Sequence, residues 1–374
     1  MSKFRFHILG LPHARTTKEY SCEAFTQKVR LFCKMMTERG HTVYHYGTEE
    51  SNPICTENID VLSNNTFQEV HGTYDYKKDG FIKTDSENKA SIEFRDNAIR
   101  EINKHKQLND FLICSYGIGH KPISDRVKNI IVVELGIGYS NSFAPYRIFE
   151  SYAWMHYTYG KEGKMKGINN YDAVIPAYYD LDDYIYEEQK DDYYFFIARP
   201  IWEKGLEVAI KTVEKIGGKL IVAGQGTPPF KSNCMKFVGV VSIEVRAKLM
   251  SKAKAVFVPT LYPEPFGSVV IESLLCGTPV ITTDYGAFPE IVQHGKVGYR
   301  CRTLEQFVWA TSNIDNIKSK DCRRWAEKNY SLQRVSKMYE EYFDMVYRLF
   351  TSKEGWLQDN DSRTELDWLV KEYI

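Results

Sequence analysis

One stretch in the second half of the chain, residues 264–279, places two carboxylates around the start of a short helix. Glu264 and Glu272 are eight positions apart, and Gly267 lies between them as a helix-start signal. Gly277 ends the predicted helix, because glycine readily adopts the left-handed conformation of a helix C-terminus. The residues around Glu272 are apolar nearly all round, so the helix is predicted to be buried, and a buried glutamate needs a partner.

The start of this helix is suited to bind an anion. Its free backbone N–H groups and the positive end of its dipole favour a group such as a diphosphate. At about 1.5 Å of rise per residue, the two carboxylates would lie several ångströms apart, on either side of that anion. Each carboxylate can accept two hydrogen bonds, which suits a vicinal diol. A sugar, a diphosphate and a ribose in a row would match, so the stretch predicts a nucleotide-sugar site.

Alternating apolar strands and amphipathic helices predict a doubly wound α/β organisation in both halves of the chain. The expected strands are residues 4–10, 41–46, 111–114, 130–133 and 172–176, then 193–198, 219–223, 255–259 and 280–283. The expected helices include one with apolar positions from Phe25 to Met36, and others near residues 204–216 and 242–253. Residues 47–93 carry no clear pattern, and residues 147–156 are interpreted as a core helix rather than an acceptor platform.

The composition is that of a globular protein with two domains. The chain has 374 residues, of which 43% are hydrophobic and 26% charged, so disorder is not expected. Zero net charge gives no global attraction to nucleic acid or anionic membranes, although a local basic face stays open. The eight cysteines form no CxxC pair, which favours buried free thiols. With no membrane-spanning stretch and no signal-peptide core in the sequence, a cytoplasmic location is expected.

The motif and its neighbours resemble a known family. EPFGSVVIE, preceded by AVFVPTLYP, resembles the donor-site motif of retaining glycosyltransferases of the GT-B fold, glycosyltransferase family 4. FIARPIWEKGLEVAIKTV, KLIVAGQGTPP and YGAFPEIVQHGKVGYRC are similar to other segments of that family, in the same order. The resemblance implies an α/β GT-B architecture, with two doubly wound Rossmann-like domains facing across a cleft.

The domain boundaries follow from this reading. We expect an N-terminal acceptor-side domain at residues 1–180 and a linker at 181–192. A nucleotide-sugar domain would follow at residues 193–350, with a last helix at 351–374 that crosses back to the first domain.

Arg199 and Lys204 follow an apolar strand, at the carboxyl edge where α/β sheets bind ligands. A guanidinium and an ammonium there would neutralise a diphosphate as the glycosidic bond breaks. The resemblance implies that Glu264 bonds the transferred sugar, so the expected catalytic residues are Glu264, Arg199 and Lys204. The expected donor-binding residues are Glu272, Phe266, Gly267, Ser268, Gly224 and Gly10. The resemblance also implies a nucleotide-diphosphate sugar as donor substrate, no tightly bound cofactor and no metal.

The first half departs from the family pattern. The loop that begins at Gly10 lacks a second adjacent glycine, and Glu134 and its neighbours stand where many members have a histidine. His13 and Tyr139 are the acceptor-side candidates. His120 and His156 are candidates as well, but for all three histidines a structural or surface role is favoured.

Asp180-Leu181-Asp182 is of the type that holds a metal in the other main glycosyltransferase fold. It falls in an acidic linker without a sheet around it, so metal binding is not expected there.

The predicted activity is transfer of a sugar from a nucleotide-diphosphate sugar to an acceptor hydroxyl, with retention of configuration. Three alternatives stay open. One is a sugar-nucleotide epimerase or hydrolase of the same fold, and another is a nucleic-acid-modifying glycosyltransferase, which would need a basic face. The third is a non-catalytic nucleotide-sugar binding protein. The sugar, the base, the acceptor and the oligomeric state stay open as well.

Overall fold

The computed structural model describes residues 3–20, 23–73, 82, 85–163, 169–352 and 365–366. The chain divides into two compact units. Unit 1 contains the described residues up to Glu150, Thr158–Tyr178, and the described residues from Leu332 onward. Unit 2 contains Ser151–Tyr157 and Tyr179–Ser331.

Unit 1 is built on a seven-stranded sheet in which every pairing is parallel. Its strands are β1 (Arg5–Leu9), β2 (Thr42–Thr48), β3 (Glu57–Leu62), β4 (Phe111–Cys114), β5 (Ile131–Ile137), β6 (Tyr146–Phe149) and β7 (Ala173–Val174). The strand order is β3-β2-β1-β4-β5-β6-β7, so the order reverses at β1. In a doubly wound sheet, ligands bind outside the carboxyl ends of the strands at such a switch point.

The helices of this part of the chain are α1 (Ala24–Glu38), α2 (Asn64–His71), α3 (Lys89–His105), α4 (Lys121–Arg126) and α5 (Tyr152–Lys161). The predicted helix from Phe25 to Met36 is confirmed as part of α1, whose buried face includes Val29 and Phe32. The unassigned residues 47–93 contain β3, α2 and the start of α3. Ser63 caps α2 and Asn88 caps α3, each by accepting a hydrogen bond from a backbone N–H group.

The predicted core helix over residues 147–156 is wrong in its first part. Arg147–Phe149 belongs to β6, and α5 begins only at Tyr152. Ile148 and Phe149 are fully buried between β5 and β7, because an inner strand of a parallel sheet is covered on both faces. A short apolar run next to a helix does not reveal this from periodicity alone.

Unit 2 is built on a six-stranded parallel sheet in the order β10-β9-β8-β11-β12-β13. Its strands are β8 (Tyr194–Ile197), β9 (Leu220–Ala223), β10 (Met235–Gly239), β11 (Val256–Val258), β12 (Val280–Thr283) and β13 (Gly298–Cys301). Its helices are α6 (Leu206–Lys215), α7 (Ile243–Lys252), α8 (Ser268–Leu275), α9 (Phe288–Ile291), α10 (Leu304–Ser312) and α11 (Ser319–Tyr330). The four strands predicted here are confirmed, and the order reverses at β8, which lies between β9 and β11.

The last described helix, α12 (Leu332–Ser352), belongs to unit 1, whereas we expected the chain to return to the first domain at residue 351. The ring centroid of Phe343 lies 4.7 Å from that of Phe6 and 5.0 Å from that of Phe111. Glu340 accepts hydrogen bonds from Arg39 at 2.5 Å and His41 at 3.1 Å. These aromatic and ionic contacts of α12 explain why the chain returns to unit 1 before residue 351. Most of the expected last helix at 351–374 lies outside the described residues.

None of the helices in the described ranges is both long and apolar enough to cross a bilayer. The prediction of free thiols is confirmed for the cysteines that the structure describes, and Cys22 lies outside them.

Burial lowers the pKa of many unit 1 histidines, because a buried imidazole resists protonation. They are His7, His13, His41, His45, His71 and His120. For His13, His45 and His120 the pKa falls to about 4. Unit 2 contains His156 and His294, which are both exposed, and partial desolvation and the charge of Arg300 lower the pKa of His294.

We therefore expect unit 1 to lose stability in mild acid before unit 2. Unfolded histidines titrate near pH 6.5, so the unfolded chain takes up protons first as the pH falls. The stabilising contribution is complete above roughly pH 6.5 and is lost as the pH falls to about 4. Calorimetry between pH 7.5 and 4.5, with hydrogen exchange to assign each transition to its unit, tests this. A unit 2 transition that falls as steeply as that of unit 1 would contradict it.

Candidate functional site

The carboxyl ends of β8 and β11 lie side by side at the switch point of unit 2, where Phe196 of β8 pairs with Phe257 of β11. The segment after β8 carries Arg199 and Lys204, and the segment after β11 carries Glu264. The topology therefore brings the predicted cations and the first glutamate to one edge of the sheet.

Lys204 and Glu264 form an ion pair at this edge. The Lys204 ammonium donates to the two carboxylate oxygens of Glu264 at 2.8 and 3.2 Å, and to the Tyr262 hydroxyl at 2.6 Å. Burial disfavours the cation, but the charge of Glu264 and these hydrogen bonds raise the pKa of Lys204 above its ordinary value. Lys204 is therefore a fixed cation at neutral pH. The sequence predicted both charged residues and gave Tyr262 no role.

Arg199 is exposed just beyond β8, and among the described residues its side chain makes no hydrogen bond or ion pair. Gly224, at the end of β9, packs against the backbone beside it. A Cβ at Gly224, where φ is +146°, would lie 1.9 Å from the carbonyl oxygen of Ala198. Glycine is thus required for the ends of β8 and β9 to approach this closely.

Helix α8 begins at Ser268, after Gly267 in the left-handed conformation, and has no side-chain cap. In its first turn the Val270 N–H donates to the Gly267 carbonyl at 2.9 Å, and the N–H groups of Ser268 and Val269 make no hydrogen bond among the described residues. Phe266 is buried beneath this terminus, with its ring centroid 6.0 Å from that of Tyr330. The backbone at Phe266, Gly267 and Ser268 therefore forms an uncapped helix start over an apolar base.

Glu272 lies within α8 and is 8% exposed, so the predicted burial of this helix and of its glutamate is confirmed. Arg246 of α7 is its partner, with an N–O distance of 3.4 Å. Burial alone would lower the pKa of Arg246, but the Glu272 carboxylate raises it. Glu272 Oε2 has no hydrogen-bond partner among the described residues. Nothing in the sequence pattern singled out Arg246, which is one of several charged residues on α7.

Within the described residues, no hydrogen bond or ion pair joins Glu272 to Lys204 or Glu264. The two glutamates of the motif thus belong to two clusters. One contains Lys204 and Tyr262, and the other contains Arg246.

A third carboxylate, Glu290, was missed from the sequence. It accepts hydrogen bonds from the backbone N–H groups of Tyr152 at 2.9 Å and Ala153 at 2.8 Å, at the start of α5. The Ser151 hydroxyl donates to the carbonyl of Pro265 at 2.6 Å. Burial raises the pKa of Glu290, and the two N–H groups oppose this. These bonds attach residues 151–153 to α9 and to the loop before α8.

In unit 1, Gly10 follows β1, and its N–H donates to the Tyr46 carbonyl at 2.8 Å. The Gly10 carbonyl accepts from the buried His120 at 3.0 Å, and His120 also accepts from the backbone N–H of Ser115 at 3.2 Å. His120 is thus a structural histidine that joins the loops after β1 and β4.

The two acceptor-side candidates have different surroundings. Tyr139 is packed against Phe25 and donates its hydroxyl hydrogen bond to the buried Glu134 at 2.8 Å. His13 is buried, its ring centroid 5.4 Å from that of Tyr116.

The Asp180-Leu181-Asp182 sequence forms a turn, in which the Asp180 carboxylate accepts from the backbone N–H of Asp182 at 3.3 Å. Across the described ranges, no three histidine, cysteine, aspartate or glutamate side chains are grouped to hold a metal ion.

Two doubly wound parallel sheets define a two-domain α/β protein, and its fold is the GT-B fold predicted from the sequence. Sucrose-phosphate synthase from Thermosynechococcus elongatus is similar, with a TM-score of 0.69 over 94% of this chain and 100% of that one, at 16% identity. The structure of HepE from Anabaena in complex with UDP and glucose is similar with a TM-score of 0.64, over 91% of this chain and 99% of that one, at 13% identity. At these identities the likeness concerns the fold alone.

Residues 183–331 match the family model described as Glycosyl transferases group 1. That segment contains Arg199, Lys204, Gly224 and both glutamates of the motif. An uncharacterized glycosyltransferase of Methanocaldococcus jannaschii is 29% identical over 164 residues, which are 39% of this chain and 40% of that protein. The chain therefore spans less than half the length of this curated relative.

Gly205, which follows Lys204, packs closely against Pro259, and replacing Gly205 tests this close approach. At φ +74°, a Cβ on Gly205 would lie 2.0 Å from the Pro259 carbonyl oxygen, whereas Gly239, also at φ +74°, has nothing within 4 Å of such a Cβ. We expect Gly205→Ala to lower the free energy of unfolding by about 3 kcal/mol and Gly239→Ala by about 1 kcal/mol. Urea unfolding measures both, and equal losses would contradict the close approach at Gly205.

Proposed function

We propose that this chain is a retaining glycosyltransferase that moves a sugar from a nucleotide-diphosphate sugar to an acceptor hydroxyl, without a metal ion. The observation that carries the proposal is the Lys204–Glu264 pair at the switch point of unit 2. It lies within the segment that matches group 1 glycosyltransferases. The uncapped start of α8 follows Glu264 by four residues.

The diphosphate is assigned to Lys204, Arg199 and the N-terminus of α8. The ammonium has three donors, and all three are directed at Glu264 and Tyr262. Contact with a phosphate oxygen therefore requires one of these bonds to be exchanged. That exchange releases an oxygen of Glu264 for a sugar hydroxyl, so binding of the diphosphate and of the sugar would be coupled. The exposed Arg199 is free to add a forked pair of hydrogen bonds.

The ribose is assigned to Glu272. Its Oε2 atom lies 3.4 Å from the Arg246 guanidinium and makes no hydrogen bond among the described residues, and a carboxylate can accept from both hydroxyls of a ribose. Arg246 compensates the charge of this buried carboxylate. The HepE complex with UDP and glucose supports a donor of this kind in a protein of the same fold.

The chemical step follows from these assignments. The bond from the anomeric carbon to the diphosphate oxygen breaks, and the acceptor hydroxyl attacks from the same face. A departing phosphate oxygen takes the acceptor proton. Lys204 and Arg199 stabilise the charge that develops on the diphosphate, in the role that a metal ion has in other enzymes.

A screen of nucleotide sugars by thermal shift identifies the donor, because a ligand bound only by the folded state raises the melting temperature. Nucleotide release is then measured with and without a pool of hydroxyl acceptors, in the presence of EDTA. The anomeric configuration of the product is read by NMR. Acceptor-dependent release with retention supports the proposal. Acceptor-independent turnover indicates a hydrolase or epimerase, and tight binding without release indicates a non-catalytic binding protein.

We expect Lys204→Ala to lower kcat/KM for transfer by at least about a hundredfold, because it removes a preorganised cation from the leaving group. Lys211→Ala is the matched control, since Lys211 is exposed on α6 and pairs only with Glu207 one turn away among the described residues. Steady-state kinetics with the identified donor measures both variants. Near-normal turnover of Lys204→Ala would remove this residue from the mechanism.

Glu272→Gln should weaken binding of the nucleoside diphosphate by about tenfold, because a neutral amide accepts ribose hydrogen bonds less strongly than a carboxylate. Isothermal titration with the nucleoside diphosphate alone measures this, and Glu305→Gln on the exposed face of α10 is the control. Thermal unfolding separates a loss of affinity from a loss of stability caused by the uncompensated Arg246. Unchanged affinity of a folded Glu272→Gln protein would exclude the ribose assignment.

A further inference from the structure

One short segment from the first half of the chain belongs to unit 2. It is Ser151–Tyr157, which follows β6, while the rest of α5, Thr158–Lys161, belongs to unit 1. Ser151 at the start of the segment is fully buried, and its hydroxyl donates to the Pro265 carbonyl at 2.6 Å. The segment therefore contacts the residue directly after Glu264, the carboxylate expected to bond the transferred sugar.

This contact is one side of a closed ring of hydrogen bonds in unit 2, which joins the start of α5, the loop before α8 and α9. A second side lies next to the Pro265 contact. There the Glu264 carbonyl accepts from the N–H of Ala287, directly before α9, at 3.0 Å. The third side joins α9 to α5, because Glu290 accepts from the N–H groups of residues 152 and 153 at 2.9 and 2.8 Å.

The ring fixes the backbone on both sides of Glu264. The φ angle of Pro265 is set by its own ring, and a residue that precedes a proline is restricted to extended conformations. The carbonyls of Glu264 and Pro265 are each held by one hydrogen bond of the ring. A Cβ at Gly286 would lie 2.5 Å from the Glu264 nitrogen, so the backbone is also closely packed there. The direction in which Glu264 projects its carboxylate is therefore set by these contacts.

The Ser151 hydroxyl is well placed for this purpose. It accepts a hydrogen bond from the backbone N–H of Trp154 at 3.1 Å, so its one proton is directed at the Pro265 carbonyl. That carbonyl makes no other hydrogen bond among the described residues. Because Ser151 is fully buried, bulk water does not replace a lost bond at this position without rearrangement.

We propose that Ser151 and Glu290 are positioning residues for Glu264. They act through the backbone of the loop before α8 and do not touch the substrate. In one respect this rests on the proposed function, namely that Glu264 bonds the transferred sugar. Breaking the ring should therefore lower the rate of transfer, whereas the affinity for the nucleoside diphosphate should change little, because Glu272, Arg199 and the start of α8 are unaltered.

Ser151→Ala removes the hydroxyl and should lower kcat for transfer about tenfold, because a small displacement of a reacting group slows the chemical step. Its affinity for the nucleoside diphosphate should stay within about threefold of the wild type. Ser151→Thr keeps the hydroxyl and should restore most of kcat. Thr303→Ala is the control, since Thr303 caps α10 of the same unit as Ser151 caps α5. Unchanged kcat in Ser151→Ala, or an equal loss of kcat and affinity, would overturn the proposal.

A double-mutant cycle tests whether Ser151 acts through Glu264. In a Glu264→Gln background, Ser151→Ala should lower kcat by less than about threefold, because the group that it positions is already altered. A tenfold loss in both backgrounds would overturn the proposal. Glu290→Gln breaks the ring at another side, since an amide N–H₂ cannot accept from a backbone N–H. It should also lower kcat at unchanged nucleotide affinity, and this variant decides the question where Ser151→Ala fails to fold.

Hydrogen exchange gives a test that does not depend on activity. The amide of Ala287 reports on the ring, because it donates to the Glu264 carbonyl. We expect this amide to exchange at least about tenfold faster in Ser151→Ala than in Thr303→Ala. Equal exchange in the two variants would overturn the proposal whether or not the chain transfers sugar. Faster exchange in a chain that shows no transfer would overturn the proposed function and keep the link from Ser151 to the backbone of Glu264.

Discussion

The ammonium of Lys204, held between both oxygens of Glu264 and the phenol of Tyr262, is the interaction on which the candidate site of unit 2 depends. Close packing of the backbone fixes the position of this interaction. Gly205 packs against Pro259, and a Cβ at Gly286 would lie 2.5 Å from the backbone nitrogen of Glu264. Lys204 and Glu264 can reach each other only because the backbone packs this closely beside each of the two residues.

The sequence predicted the two sheets and the positions of Lys204 and Glu264, because buried parallel strands appear as continuous apolar runs and end where ligands bind. It could not predict the pairing of Glu272 with Arg246, which joins two helices. The bonds of Glu290 to residues 152 and 153 were equally hidden, since they join positions 137 and 138 residues apart. Such contacts depend on tertiary packing, and a charged residue on a helix looks the same in sequence whether it is solvated or paired.

The histidines of unit 1 show the same limit of prediction from sequence. His13 was a candidate from its place after β1, and the structure places it in a cavity. His120 was interpreted as structural, and its two bonds join the loops after β1 and β4. His71 drew no attention, because it lies in a polar stretch without periodicity. In the folded chain it lies at the end of α2 and lines the same cavity as His13.

The return of α12 to unit 1 has a consequence for synthesis. Phe6 and Phe111 are covered in part by Phe343, which is translated more than two hundred residues after either of them. Most of unit 2 is one uninterrupted segment, residues 179–331, that emerges before that cover exists. Domains tend to fold as units while the chain is made. The half of the protein that is translated first is therefore completed last, and a nascent chain arrested before α12 would carry bare aromatic rings as a target for chaperones.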